Sequence, residues 1–121
     1  MWSKEKTNII ADIVSNVLIS YNLKSEVSVV YNFRVIQVDN SDINIWLRLI
    51  PTNDKYIVEI STVFLSKILQ RRGIFTSLYT KLLNCDIIEK VVICSVCTKK
   101  MENWCVKNNL VSDGFGNYYR R

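Results

Sequence analysis

Apolar residues in the first stretch of the chain return at helical spacing. Ile9, Ile10, Ile13, Val14, Val17, Leu18 and Tyr21 fall three and four residues apart, which stacks them on one side of an α-helix. The spacing predicts a helix from Lys4 to about Tyr21, capped by Ser3 and ended at Asn22. The period then shortens to two. Val27 to Val38 alternates loosely and is rich in Val, Ile, Tyr and Phe. Ile43 to Ile50 alternates cleanly, with Ile43, Ile45, Leu47 and Leu49 on one face. Lys55 to Leu65 is a third strand-like run. Asp39-Asn40-Ser41-Asp42 and Pro51-Thr52-Asn53-Asp54 carry turn chemistry between these runs. Short turns between consecutive strands predict an antiparallel meander.

The pattern changes after Leu65. Ser66 to Arg72 is polar and basic, Gly73 follows, and Phe75, Leu78, Leu82 and Leu83 return at helical spacing up to Asn84. Val91 to Cys97 is apolar and β-branched, as a strand buried on both faces would be. Strand, loop, helix and strand make a βαβ unit with parallel strands and a right-handed crossover. Thr98 can cap a helix over Lys99 to Asn108 that carries Met101, Trp104 and Cys105 on one face. Asn108-Asn109 suits its end. Leu110 to Arg121 has room for one or two short strands turning at Asp113-Gly114.

The expected fold class is therefore α/β (α+β). A mixed central sheet has antiparallel N-terminal strands, a βαβ unit and three main helices. It forms one domain over 1–121, divided into a helix (1–26), a strand meander (27–65) and a loop-helix-strand-helix-strand half (66–121).

Composition narrows the chemistry. The 121 residues are 49% hydrophobic and 22% charged, which is the balance of a folded domain. No histidine is present, and this removes Ser-His-Asp and Cys-His mechanisms. Cys94 and Cys97 form a CxxC, but three residues apart on a strand they face opposite ways. They read as reduced thiols of a cytoplasmic protein, not as a metal or redox pair. No metal is expected. The N-terminal stretch lacks a signal-peptide pattern, and no apolar run approaches a membrane span. The net charge of +5 is scattered apart from Arg71-Arg72 and Arg120-Arg121. Trp2, Trp46 and Trp104 are dispersed, which speaks against a nucleic-acid platform.

The loop Gln70-Arg71-Arg72-Gly73-Ile74-Phe75 carries the candidate chemistry. A helix N-terminus presents unpaired N–H groups and a partial positive charge, and glycine lets the backbone wrap closely around an anion. Followed by Thr76, this is an arrangement for a pyrophosphate. An exposed basic turn has the same local composition.

At this point the chain resembles the GNAT superfamily of N-acetyltransferases. Its central motif is a strand, then Gln/Arg-x-x-Gly-x-Gly/Ala, then a helix. Glu59-Ile60 precede Gln70 by eleven residues, the spacing of the general-base glutamate in the histone-acetyltransferase branch. The later helix, from Thr98 to Leu110, is similar to the family's, and small phage proteins of this type look alike here. The resemblance covers about residues 27 to 119. It implies acetyl-CoA as cosubstrate. Backbone groups of Val63 and Leu65 would pair with the pantetheine arm, and amides of Arg71, Arg72, Gly73, Ile74, Phe75 and Thr76, after Gln70, would hold the pyrophosphate. The acceptor would be an amine of a protein or small molecule. Glu59 would be the base, and Tyr118, on a late strand, the general acid. The location would be cytoplasmic (the host's, for a phage protein), and an oligomer is compatible.

The departures are Phe75 where the motif has Gly or Ala, Thr98 where Asn is common, and Cys105 near the usual tyrosine. They leave a second reading open, a degenerate scaffold that binds a host protein. Glu59 likewise has two readings: the base, or an outward strand residue paired with a Lys or Arg.

Overall fold

Ser3 opens the first helix by accepting a hydrogen bond from Lys6 N–H (3.2 Å), which satisfies one of the orphan donors of the first turn. Helix α1 spans Lys4–Ser20 and buries Ile10, Ala11, Val14, Val17 and Leu18. It ends where Asn22 takes a left-handed φ of 59° and Leu23 N–H donates back to Leu18 O (2.9 Å). The computed structural model describes residues 3–24, 26–30, 34–94, 96 and 98–120. Trp2, Cys97 and Arg121, named above, lie outside the described residues.

The strands are β1 (Ser28–Val30), β2 (Val35–Asp39), β3 (Ile43–Pro51), β4 (Tyr56–Leu65), β5 (Ile88–Ile93), β6 (Val111–Ser112) and β7 (Tyr118–Tyr119). Helix α2 spans Ile74–Leu83 and helix α3 Lys99–Lys107. Together they form an α+β domain with a mixed seven-stranded sheet in the order β1-β2-β3-β4-β5-β7-β6. Neighbours up to β4 are antiparallel. The βαβ unit brings β4 and β5 together in parallel.

Two boundaries differ from the sequence pattern. Val27 to Val38 is not one strand. Arg34 takes a φ of 55°, and the run becomes the antiparallel pair β1 and β2. The fifth strand begins at Ile88 and ends at Ile93, not Val91 to Cys97. Its early residues Glu89 and Lys90 are exposed because β7 pairs only with Val92 and Ile93. Cys94 follows the last residue of this strand, and the pairing of its thiol with that of Cys97 falls outside the described residues.

One sheet face carries Ile36, Val38, Ile43, Ile45, Leu47, Leu49, Tyr56, Val58 and Ile60, all buried with α1 and α2 in a single core. The other face shows Trp46, Arg48, Thr62 and Phe64 to solvent. Tyr56 ties the two ends of this layer. Its ring is fully buried, and its hydroxyl accepts from Ser3 N–H (2.6 Å) at the start of α1. Among the described residues no helix is long and apolar enough to cross a membrane.

Leu82 is fully buried on α2. Leu82→Ala should cost about 2–5 kcal/mol through lost burial and a residual cavity. Urea unfolding followed by far-UV circular dichroism checks this, with a lower midpoint at unchanged slope expected.

Candidate functional site

The site begins where two paired strands part. β4 and β5 pair from Tyr56↔Ile88 to Ile60↔Ile93. One further rung, Cys94 N–H to Ile60 O (2.9 Å), closes the run. The following segment turns away to β7's side, where Val96 N–H donates to Gly116 O (2.7 Å). A β-bulge lies at the same level: Leu47 faces Ile60 and Trp46 faces Thr62, which leaves Ser61 as the extra residue. A bulge bends its strand and sharpens the twist, so β4 leans away from β5 from Ser61 onward.

Ser61–Leu65 therefore keeps β3 as its one strand neighbour among the described residues. The phase of the free edge follows from its hydrogen bonds. Ser66 N–H donates to Asp42 O (2.8 Å) on the β3 side. Antiparallel alternation then turns the backbone groups of Val63 and Leu65 outward. Leu65 O does face outward, because Gln70 Nε2 donates to it (2.9 Å).

The loop beyond β4 leads the chain into α2. A 3-10 turn covers Lys67–Leu69, Arg71 takes a φ of 63° and Gly73 a φ of 81°. Glycine bears the second conformation without strain, whereas Arg71 occupies a region that disfavours a Cβ. Gly73 caps α2 without any side-chain bond. The first return bond of the helix is Ser77 N–H to Gly73 O (2.9 Å), so the amides of Ile74, Phe75 and Thr76 have no partner within the helix. The end of α1 holds this loop from behind. Tyr21 Oη donates to Gly73 O (3.1 Å), and Arg72 Nη2 reaches back to Tyr21 O (3.4 Å).

Helix α3 closes the third side. Thr98 caps it by accepting from Met101 N–H (3.2 Å). Trp104 Nε1 donates to Thr76 Oγ1 (3.0 Å). The Trp104 ring packs edge-on against Phe75 (4.7 Å, 65°) and Tyr79 (5.2 Å, 86°). The large residue at position 75 is thus accommodated by turning its ring to α3. The three walls enclose a cleft of about 540 Å³.

Of the residues singled out from sequence, Val63, Leu65, Gln70, Arg71, Gly73, Ile74, Phe75 and Thr76 line this one cleft. Arg72 does not, because it is turned to α1. Glu59 and Tyr118 also lie off its walls. Glu59 pairs in register with Val92, and Val92 with Tyr119, whereas Tyr118 pairs with Ile93. Side chains alternate along a strand, so Glu59 and Tyr118 leave the sheet on opposite faces. Glu59 is half-buried, 3.8 Å from Arg48, and accepts a hydrogen bond from the Cys94 thiol. Burial, then the charge and hydrogen bond of Glu59, push that thiol up to about 11.

The α3 wall was not singled out from sequence. Lys100, Met101, Trp104 and Lys107 line the cleft, and their spacing, one, four and seven residues on from Lys100 to Lys107, places them on one helical face. The cleft's charged lining is Arg71, Lys100 and Lys107, with no carboxylate among the lining residues. An apolar floor, a free strand edge, a helix N-terminus and three cations can hold an extended amide-containing chain that ends in phosphate.

No protein-family model matches the chain, and none of the curated proteins compared with it matches either.

The thiol of Cys94 should resist alkylation. With a pKa of about 11 against an ordinary 9.0, its thiolate fraction at pH 8 is about a hundredfold lower, and reaction with iodoacetamide slows accordingly. Peptide mapping across pH 8–11 should show its rate still rising beyond pH 10. In Glu59→Gln the rise moves to lower pH, since a charge that opposes ionisation is gone.

Proposed function

We propose that this chain is an acyl-CoA-binding domain of the GNAT type that transfers acetyl from acetyl-CoA to an amine. The observation that carries the reading is the free edge of β4 at Val63 and Leu65, aimed along the cleft at the unpaired amides of α2. A pantetheine arm carries amides that would extend the sheet as an added strand, and the pyrophosphate would meet Gly73, Ile74, Phe75 and Thr76. Arg71 would add a charge-assisted contact. Only backbone is required at most of these positions, which is consistent with a side chain as large as Phe75.

In the transfer, the amine nitrogen attacks the thioester carbonyl carbon and the carbon–sulfur bond breaks. An outward β4 amide stabilises the oxyanion. The proton of the attacking nitrogen passes to Glu59 directly or through water, and the departing thiolate takes a proton from water. Glu59 must exchange its contact with Arg48 for this role. The acceptor would be a protein lysine, an N-terminal amine or a small amine, and the location would be the cytoplasm, the host's for a phage protein.

A second reading is a scaffold that binds acyl-CoA, or a host protein, without turnover. Two observations favour it. Glu59 is engaged by Arg48 and Cys94, and Tyr118, the expected acid, leaves the opposite sheet face.

Calorimetric titration with acetyl-CoA, beside a Gly73→Glu variant, tests the first reading. Micromolar binding by the wild type and its loss in the variant are expected, because a carboxylate would stand where the pyrophosphate binds. No binding near millimolar acetyl-CoA by the wild type rejects the acyl-CoA site. Given binding, an acceptor screen with Glu59→Gln separates the readings. A fall in turnover of at least about a hundredfold, the usual scale of general-base catalysis, supports transfer; no turnover with any amine supports the scaffold.

A further inference from the structure

Gln70 bridges two walls of the cleft. Gln70 donates from Nε2 to Leu65 O (2.9 Å) and accepts at Oε1 from Lys100 Nζ (2.5 Å). Both neighbours fix the amide's orientation: a carbonyl oxygen needs the NH2 group, and an ammonium needs the oxygen. Gln70 thereby links the free edge of β4 to the first turn of α3. It also occupies the acceptor that an added strand would need at Leu65.

Lys100 has no carboxylate partner among the described residues. The other charged residues that line the cleft are Arg71 and Lys107, also cations. Like charges gathered in one concavity repel, and the repulsion is relieved by an anion. The partner that Lys100 does have is neutral, so it holds the ammonium in place without neutralising it.

We propose that Lys100 reads the phosphate of the cleft's ligand, and that Gln70 holds it in waiting until the ligand's own amide displaces Gln70 from Leu65. The proposal rests on the acyl-CoA reading for the amide-bearing arm. Its anion half stands on the cleft's charges alone. Entry of an extended chain along Val63 and Leu65 breaks the Gln70–Leu65 bond, and Gln70 swings free. Lys100 then loses its neutral acceptor and gains a charged one, opposite the unpaired amides of α2. Seating of the arm and capture of the phosphate become one event. A ligand with the arm but no phosphate leaves Lys100 unpartnered, and a free phosphate meets Lys100 with Gln70 still in place, since the ammonium has donors for both.

The test uses the full chain and two probes, acetyl-CoA and inorganic pyrophosphate, titrated by calorimetry at low and high salt. Lys100→Met should bind both probes about tenfold more weakly, the scale of one charge-assisted contact, with a flatter salt dependence. Lys100→Arg should restore most of the loss. Gln70→Ala should bind acetyl-CoA at least as tightly as the wild type and associate faster in stopped flow, while its pyrophosphate affinity stays unchanged. Lys100 is exposed, so melting temperatures should not move. Equal affinity and salt dependence in Lys100→Met overturn the proposal. So does a Gln70→Ala variant that loses acetyl-CoA as Lys100→Met does, for then Gln70 is itself a ligand contact. Pyrophosphate binding without acetyl-CoA binding rejects the acyl-carrier reading and the displacement step but keeps Lys100 as an anion contact. Binding of neither probe overturns both.

Discussion

The pairing between β4 and β5 stops short, and the cleft exists because it does. Two parallel strands in one sheet would ordinarily run together to their ends, with every outward amide of β4 answered by β5. Here the bulge at Ser61 bends β4 at the level where Cys94 makes the last rung. What remains is a stretch of β4 edge that no strand pairs among the described residues. Edges of this kind attract other extended chains. Here α3 lines the cleft beside this edge, and Gln70 donates to its Leu65 carbonyl.

The rest of the architecture serves to keep that parting fixed. The core face of the sheet is packed by α1 and α2, and Tyr56, buried at the start of β4, is bonded to Ser3 at the start of α1. Trp104 spans from α3 to Thr76, Phe75 and Tyr79 on α2. Apolar packing on the core face and the contacts of the Trp104 indole therefore hold together the two helices that wall the cleft.

Much of this was legible along the chain because local signals agreed. Ser3, the apolar stripe of α1 and Asn22 form a complete set of start, body and stop, and Ile43 to Ile50 alternates without a break. The signals failed where tertiary partners decide. The apolar run marks the fifth strand only from Val91, because Glu89 and Lys90 are polar, yet both are strand residues, and Lys90 extends its ammonium over the Tyr119 ring of β7 (4.2 Å). Val27 to Val38 reads as one run because nothing in its composition marks the left-handed turn at Arg34. In the site, Arg71 and Arg72 are indistinguishable by type. Backbone dihedrals send one to the cleft and the other to Tyr21. Lys100 and Lys107 were hidden for a different reason: with Met101 and Trp104 they form an ordinary amphipathic face, and only the splay makes that face the wall of a cavity.

The bond from Tyr21 to Gly73, with Arg72 returning to Tyr21, gives α1 a share in events it never touches. The last turn of a helix is the part that frays first, opening and closing far more often than the whole domain unfolds. Each such opening would release Gly73 O and let the loop relax out of the conformation that aims its amides. The working fraction of the loop is thus bounded by the order of a helix end some fifty positions earlier in the chain. Substitutions on the outer side of α1 would then alter how long the loop holds its shape by changing only how long that turn stays wound.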